Sequence, residues 1–226
     1  MGEVHVHEFM SLDGVIDTPT WTAPFGFDPK MGEAIGAVTA GAKGILLGRT
    51  TYEMFEPAWS TRTAEDDPGA PFFNDTTKYV VSGTLTEPTW SNSRVIGAYD
   101  PDRIRALKEE VGDLYVSGSI TLVRAMLDDG LVDELHLFVY PTTRGAGPRL
   151  FTDDAGVGAY ELAGSEHYEN GVVYLCYRPQ SLPTRTCSVT GCSRPPSRPP
   201  RSGRGAPRAA PSGSGSSRCP ERRTSG

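Results

Sequence analysis

Only one of the chain's four cysteines, Cys176, lies before residue 181, and Cys187, Cys192 and Cys219 follow it. So few thiols exclude a disulfide-stapled scaffold. Cys187 and Cys192 are spaced CxxxxC with no histidine or second cysteine pair to complete a zinc site. Cys176, inside an apolar strand-like run, reads as an inert core residue. No stretch approaches the roughly 20 apolar residues of a membrane span, and the opening MGEVHVHEFMSLDG lacks a basic segment followed by a long apolar run. No membrane association and a cytoplasmic location are the expectation. Also missing are GxGxxG after a strand, GxxxxGK followed by Ser or Thr, and the GxSxG elbow, which removes the common dinucleotide, ATP and serine-hydrolase signatures.

Residues 181–226 contain no Lys, Tyr, Phe or Trp, and hold nine arginines against the single acid Glu221. Residues 1–180 hold 13 basic and 27 acidic side chains, so the net charge of −6 conceals an acidic part near −14 and a tail near +8. An acidic folded part has no electrostatic footprint for nucleic acid. The Ser-, Arg-, Pro- and Gly-rich tail has no apolar periodicity and is expected to be disordered, an extension without a fold of its own. The division expected is therefore one domain over 1–180 and a basic tail over 181–226.

Within the first 180 residues, VHVHEFM (Val4 to Met10) alternates as a strand and ends at the turn-forming Ser11 to Gly14. Pro19 to Pro29, with Trp21, Phe25 and Phe27, reads as a loop that either walls a pocket or is pinned to the core by its aromatics. Met31 to Ala40 reads as a helix, and GILLG (Gly44 to Gly48) as a strand buried on both faces. Thr50 to Phe55 opens a helix with Thr50 or Thr51 as N-cap, and residues 57–76 read as a loop. Strands are expected at Lys78 to Gly83, Ser93 to Gly97, Leu114 to Ser119 and Leu131 to Pro141, and helices over Pro101 to Gly112 and Ile120 to Gly130. Two further strands flank Asn170-Gly171, a strong hairpin signal. The fold class predicted is α/β: three layers, with a mixed, mainly parallel sheet and an antiparallel C-terminal hairpin.

Ligands of open α/β sheets bind at the carboxyl ends of parallel strands, beside helix N-termini. Three strand-to-helix or strand-end turns qualify: Gly48-Arg49-Thr50-Thr51, Ser82-Gly83-Thr84 and Ser117-Gly118-Ser119. Glycine admits a pyrophosphate close to the backbone, hydroxyls and N–H groups bind its oxygens, and Arg49 offers a fork suited to a phosphate monoester. Each turn is also compatible with an ordinary helix cap.

The string ILLGRTTYE (Ile45 to Glu53) resembles the strand-turn-helix of dihydrofolate reductase, and YVVSG (Tyr79 to Gly83) and LYVSGSITLVRAML (Leu114 to Leu127) resemble its next cofactor segments. FMSLDGVID (Phe9 to Asp17) and VDELHLFVYPTTRGAGPRLF (Val132 to Phe151) are similar to the bacterial subgroup related to the C-terminal domain of the riboflavin-biosynthesis deaminase/reductase. The resemblance covers most of residues 4–178. It implies an NADPH-dependent reductase of a small pteridine- or pyrimidine-like heterocycle, with Gly48, Arg49, Thr50, Thr51, Ser82, Gly118, Ser119, Ile120 and Thr121 as cofactor contacts. It also implies a homodimer, to which the strand Leu131 to Tyr140 is a candidate contributor. A Gly-Gly pair of dihydrofolate reductase is replaced here by Gly118-Ser119.

Pterin reduction also needs a proton as hydride arrives. Asp13, Asp17, Asp28 and Glu33 are the acids in the expected region; Asp28 lies nearest the expected place but also reads as a helix N-cap, and Asp13 equally reads as a turn residue. His5 and His7 share a strand face, but no acid or cysteine motif accompanies them, so no metal is expected. The alternative function is a catalytically inactive nucleotide-binding module acting as a sensor or partner-binding protein. A third reading is the fold alone with a different small ligand.

Overall fold

A computed structural model describes residues 2–153 and 155–180. The expected disorder of the 181–226 tail falls outside the described residues.

Eight strands form one sheet in the order β4-β3-β2-β5-β1-β6-β8-β7. They are β1 (Val4–Ser11), β2 (Gly44–Gly48), β3 (Thr77–Val81), β4 (Ser93–Gly97), β5 (Leu114–Ser117), β6 (Glu134–Tyr140), β7 (Ala159–His167) and β8 (Val173–Gln180). The first six are joined by parallel ladders, and β8 pairs antiparallel with both β6 and β7. The Asn170-Gly171 turn closes that hairpin, with Gly171 at φ +82°, a conformation glycine adopts without a Cβ penalty. Among the described residues β6 is interior, flanked by β1 and β8, and the outer strands are β4 and β7.

Among the described residues five α-helices cover the sheet: α1 (Pro29–Ala40), α2 (Arg49–Trp59), α3 (Ala70–Asp75), α4 (Pro101–Val111) and α5 (Ile120–Asp128). One face packs Ile104 and Leu107 of α4 and Leu122, Val123 and Met126 of α5 onto Val4, Val6, Leu46, Val116 and Leu135. On the other face, Tyr52 of α2 and Phe73 of α3 pack onto Ile45, Leu47 and Tyr115. Beside them, Met31 of α1 packs onto Phe138 and Tyr140. Parallel strands buried on both faces explain the continuous apolar runs of GILLG and LYVS. Among the described residues no helix is long and apolar enough to cross a membrane.

Two stretches expected to be irregular contain helix. Pro19–Phe25 forms a 3-10 helix whose Trp21 and Phe25 rest edge-on against Tyr140 at 5.4 and 5.6 Å, while Pro19, Thr20 and Phe27 line a cleft, so the segment is both pinned and a pocket wall. α3 lies within the 57–76 segment, where Phe73 stacks on Trp59 at 4.3 Å and Phe72 meets Tyr115 edge-on. These are contacts distant in sequence, which local propensity does not report. α2 starts at Arg49, with Gly48 rather than Thr50 or Thr51 at the cap position, and continues through Pro57 to Trp59. A proline removes one N–H near the helix end, and the partly buried Phe55 and Trp59 hold that last turn against the core.

The chain leaves β1 toward α1 on one face and leaves β5 toward α5 on the other. Adjacent parallel strands whose connections depart to opposite faces leave a crevice at their carboxyl ends.

Candidate functional site

The crevice opens where β1 loses its neighbour. The β1–β5 ladder ends at His7 opposite Ser117, whereas β1 stays paired with β6 as far as Ser11. From Glu8 onward, the β5-side edge of β1 has no strand partner and faces a cleft of about 1620 Å³. Pockets for a single drug-sized ligand span about 300–1,000 Å³, so there is room for a large ligand and a second small one.

One half of the cleft is built from the three turns. Gly48, Arg49, Thr50, Thr51, Ser82, Gly118, Ser119, Ile120 and Thr121 all line it. The first and third turns interlock, since the Gly48 N–H donates to Ser119 Oγ at 2.7 Å. A Cβ on Gly48 would stand 3.3 Å from Ser119 Cβ and Oγ, so glycine is what lets the two strand ends approach. Gly118 and Ser119 both adopt left-handed backbone, φ +61° and +70°. For a serine this conformation is uncommon and costs energy, and such strain concentrates at functional sites. Ser82 Oγ accepts the N–H groups of Thr84 and Leu85 at 3.2 and 2.9 Å, which fixes the middle turn. Arg49 reaches across to it, with Nη1 donating to Thr84 Oγ1 and Nε to Glu53, both at 2.7 Å.

α2 and α5 begin in this half of the cleft, and neither has a side-chain cap, whereas Asp28 and Asp100 cap α1 and α4. The first N–H groups of an uncapped helix need partners and carry the positive end of the helix dipole, so the two N-termini together form an anion receptor. A glycine-dependent close approach, two open helix N-termini, hydroxyls and an arginine fit the phosphates of a dinucleotide.

The other half adjoins the fork in the sheet, where two consecutive residues have buried polar atoms with no partner among the described residues: His7 Nε2 and Glu8 Oε1. Both residues line the cleft. The His7 ring is wedged edge-on against Phe9 and Phe138, and its Nδ1 is 2.7 Å from the Tyr115 hydroxyl. Burial, aided by His136, drops its pKa to about 3 and keeps the imidazole neutral; burial also pushes the Tyr115 phenol up. With Tyr115 donating to Nδ1, His7 carries its proton on Nε2. Glu8 lies on the opposite face of β1, in line with Val4 and Val6, and burial raises its carboxyl to about 8. A carboxyl so raised keeps its proton at neutral pH. The signal for Glu8 is present in the sequence: an acid on the strand face that is otherwise Val4, Val6 and Met10.

Neither acid expected to give the proton lies in the cleft wall. Asp28 is the N-cap of α1: Oδ1 accepts the Lys30 N–H at 3.0 Å and Oδ2 the Glu169 N–H at 3.1 Å. Asp13 clamps a loop, with Oδ1 and Oδ2 accepting the N–H groups of Arg144 and Gly145 at 3.0 and 2.8 Å and Ser11 Oγ donating to Oδ1 at 2.6 Å. These bonds, the Ser11 bond foremost, pull its pKa down to about 2, the reverse of what a proton donor at neutral pH needs. Of the remaining candidates, Asp17 and Glu33 do line the cleft, and Asp17 accepts from Trp21 Nε1 at 2.6 Å. Phe27, largely exposed, stands at its wall.

The family model of the RibD C-terminal domain matches residues 3–174. The chain belongs to that family. Its β4-β3-β2-β5-β1-β6-β8-β7 sheet is the dihydrofolate-reductase-like fold of the RibD reductases. It is 28% identical over 144 residues to the uncharacterized protein YyaP of Bacillus subtilis, which is 59% of this chain and 72% of that one. A candidate riboflavin biosynthesis protein of Shewanella sp. PV-4 superposes with a TM-score of 0.65 at 19% identity, covering 79% of this chain and 99% of the other. The Thermotoga maritima diaminohydroxyphosphoribosylaminopyrimidine deaminase/5-amino-6-(5-phosphoribosylamino)uracil reductase superposes at 0.57 with 16% identity, over 79% of this chain and 57% of that longer one. For the riboflavin biosynthesis reductase Rib7 of Saccharomyces the values are 0.51 and 15%, over 79% and 90%.

Proposed function

We propose that this member of the RibD C-terminal domain family is an NADPH-dependent reductase acting on a small pyrimidine- or pterin-like heterocycle. The observation that carries the reading is a single cleft with an anion receptor in one half and two orphaned polar groups, His7 Nε2 and Glu8 Oε1, in the other. Gly48, Thr50, Thr51, Gly118, Ser119, Ile120 and Thr121 would hold the pyrophosphate through backbone N–H groups and hydroxyls. Arg49, Ser82 and Thr84 would take the 2′-phosphate that distinguishes NADPH from NADH. When bound, NADPH supplies a hydride. The chain supplies the rest: His7 Nε2 hydrogen-bonds a ring nitrogen or carbonyl of the substrate, Phe9 and the α2 side chain Phe55 give its plane an apolar wall, and Glu8 holds the proton that the reduced ring requires.

Addition of NADPH to the purified chain is expected to quench tryptophan fluorescence and raise Tm much more than NADH does; no response to either overturns the cofactor assignment. Arg49→Ala should weaken NADPH binding by roughly tenfold to a hundredfold, the worth of a charge-assisted hydrogen bond, and leave NADH binding little changed. Equal losses for both dinucleotides would remove Arg49 from the 2′-phosphate site. The placement of Asp13 and Asp28 outside the cleft favours one second reading, a nucleotide-binding module without catalysis. NADPH binding without oxidation across a panel of aminouracils, pterins and dihydrofolate would decide for it.

A further inference from the structure

The geometry points to a divalent transition-metal site on the sheet between β1 and β6, with His5, Glu134 and His136 as ligands and zinc as the representative ion. It is independent of the reductase reading. His5 and Glu134 are direct cross-strand partners, and His136, two residues along β6, shares their face of the sheet. The three free ligand atoms form a nearly equilateral triangle. His5 Nδ1 is 3.2 Å from Glu134 Oε2, His136 Nε2 is 3.3 Å from the same oxygen, and the two nitrogens are 3.5 Å apart. Metal–ligand bonds of about 2.0–2.2 Å at tetrahedral angles place ligand atoms about 3.3–3.6 Å from one another. The triangle therefore already has the edges of one face of a coordination tetrahedron.

The remaining polar atoms of His136 and Glu134 are turned outward to hydrogen-bond partners, and that of His5 faces the exposed carboxylate of Glu3 without a hydrogen bond. His136 Nδ1 meets the Tyr174 hydroxyl at 2.8 Å, and His5 Nε2 lies 3.6 Å from Glu3. Glu134 Oε1 accepts from Arg178 Nε and Nη2 at 3.0 and 2.6 Å. Outer partners of this kind fix the tautomer and orientation of metal-binding imidazoles and carboxylates. Two imidazoles and a carboxylate suit zinc, cobalt, nickel or ferrous iron, and not magnesium or calcium, which take oxygen ligands. Three protein ligands leave a position for water. The site has solvent access as well, because Glu3, Glu134 and Arg178 border a second, polar cavity of about 510 Å³. Joining the first residue of β6 to β1, a bound ion would act as a clamp across the centre of the sheet.

The competing arrangement is a closed hydrogen-bonded triad in which both rings donate to Glu134 Oε2. Calorimetric titration with zinc, and with cobalt as a spectroscopic probe, distinguishes the two in the full chain carrying Cys187→Ser, Cys192→Ser and Cys219→Ser, so that these thiols do not compete. The expected result is one equivalent of zinc bound at micromolar or tighter Kd, a raised Tm, and visible cobalt bands of a tetrahedral N/O site. His5→Gln and Glu134→Gln should each weaken binding by at least a hundredfold; Tyr174→Phe, which touches no metal, should weaken it by roughly tenfold to a hundredfold as a lost outer partner. If Glu134→Gln does not fold, His5→Gln carries the test alone. No stoichiometric binding, or binding that survives His5→Gln, overturns the proposal.

Discussion

Glu8→Gln should lower turnover of the accepted heterocycle by about two to four orders of magnitude, the usual contribution of a positioned proton donor, while making the protein more heat-stable at alkaline pH. The two effects have one cause. An unfolded chain releases the Glu8 proton near 4.5, whereas the folded chain keeps it to about 8 because burial disfavours the carboxylate. Between those values the folded state binds the extra proton, so its stability falls as pH rises. The stability associated with the neutral carboxyl is complete below 4.5 and is lost as pH rises to about 8. Glutamine has nothing to ionise. Melting curves of wild type and variant should therefore agree at pH 5 and separate at pH 9 in favour of the variant, by on the order of a few kcal/mol. The wild-type rate should fall as pH passes about 8, and the residual rate of the variant should not. A variant with undiminished turnover would remove Glu8 from the chemistry, and unchanged stability at pH 9 would mean that its carboxyl is not held neutral by burial.

Lys78→Ala should be strongly destabilising. Lys78 is fully buried in β3, and its Nζ donates to the carbonyls of Phe73 and Asn74 at the end of α3, at 2.7 and 3.1 Å. The ammonium also lies 4.4 Å from the centre of the Trp90 ring. Removing it forfeits two charge-assisted bonds and a cation–π contact and leaves a cavity, together about 3–5 kcal/mol. In a domain of this size that lowers Tm by on the order of 10 °C. Lys78→Met, which keeps the volume and no longer buries a charge, should lose less than half as much. Because burial lowers the Lys78 pKa to about 8, carrying the charge opposes folding, and stability should rise with pH from about 8 toward the ordinary value of 10.5. If alanine and methionine cost the same, the loss lies in the ammonium's hydrogen bonds, and filling the space contributes nothing.

Much of the anion half of the cleft is legible in the sequence, because each turn is a local object: a short apolar strand, a small residue and a helix start. The structure brings all nine of those residues to one cavity. The acids are less legible. Asp13 and Asp28 sit beside the right elements, but short acidic side chains in turns and before helices bond to nearby N–H groups, and that local chemistry occupies both. In the sequence Glu8 is legible as an acid on an apolar strand face, but its place at the cleft depends on β5 stopping beside His7, since an unpaired edge, not a motif, opens its surroundings. Likewise, the pairing of His5 with Glu134 and His136 joins residues about 130 positions apart through strand register, which no spacing within the sequence expresses.

The sheet's outer strand β7 is largely exposed, and its pairing with β8 slips between Leu162 and Gly164. An open strand is a template on which other polypeptides can add, and a kinked, acidic one is a poor template. With the slip in its middle and Glu161 and Glu166 on either side of it, β7 ends the sheet as well as completing it. That suits β7 to an edge position, where a more regular, more hydrophobic sequence would trade solubility for aggregation.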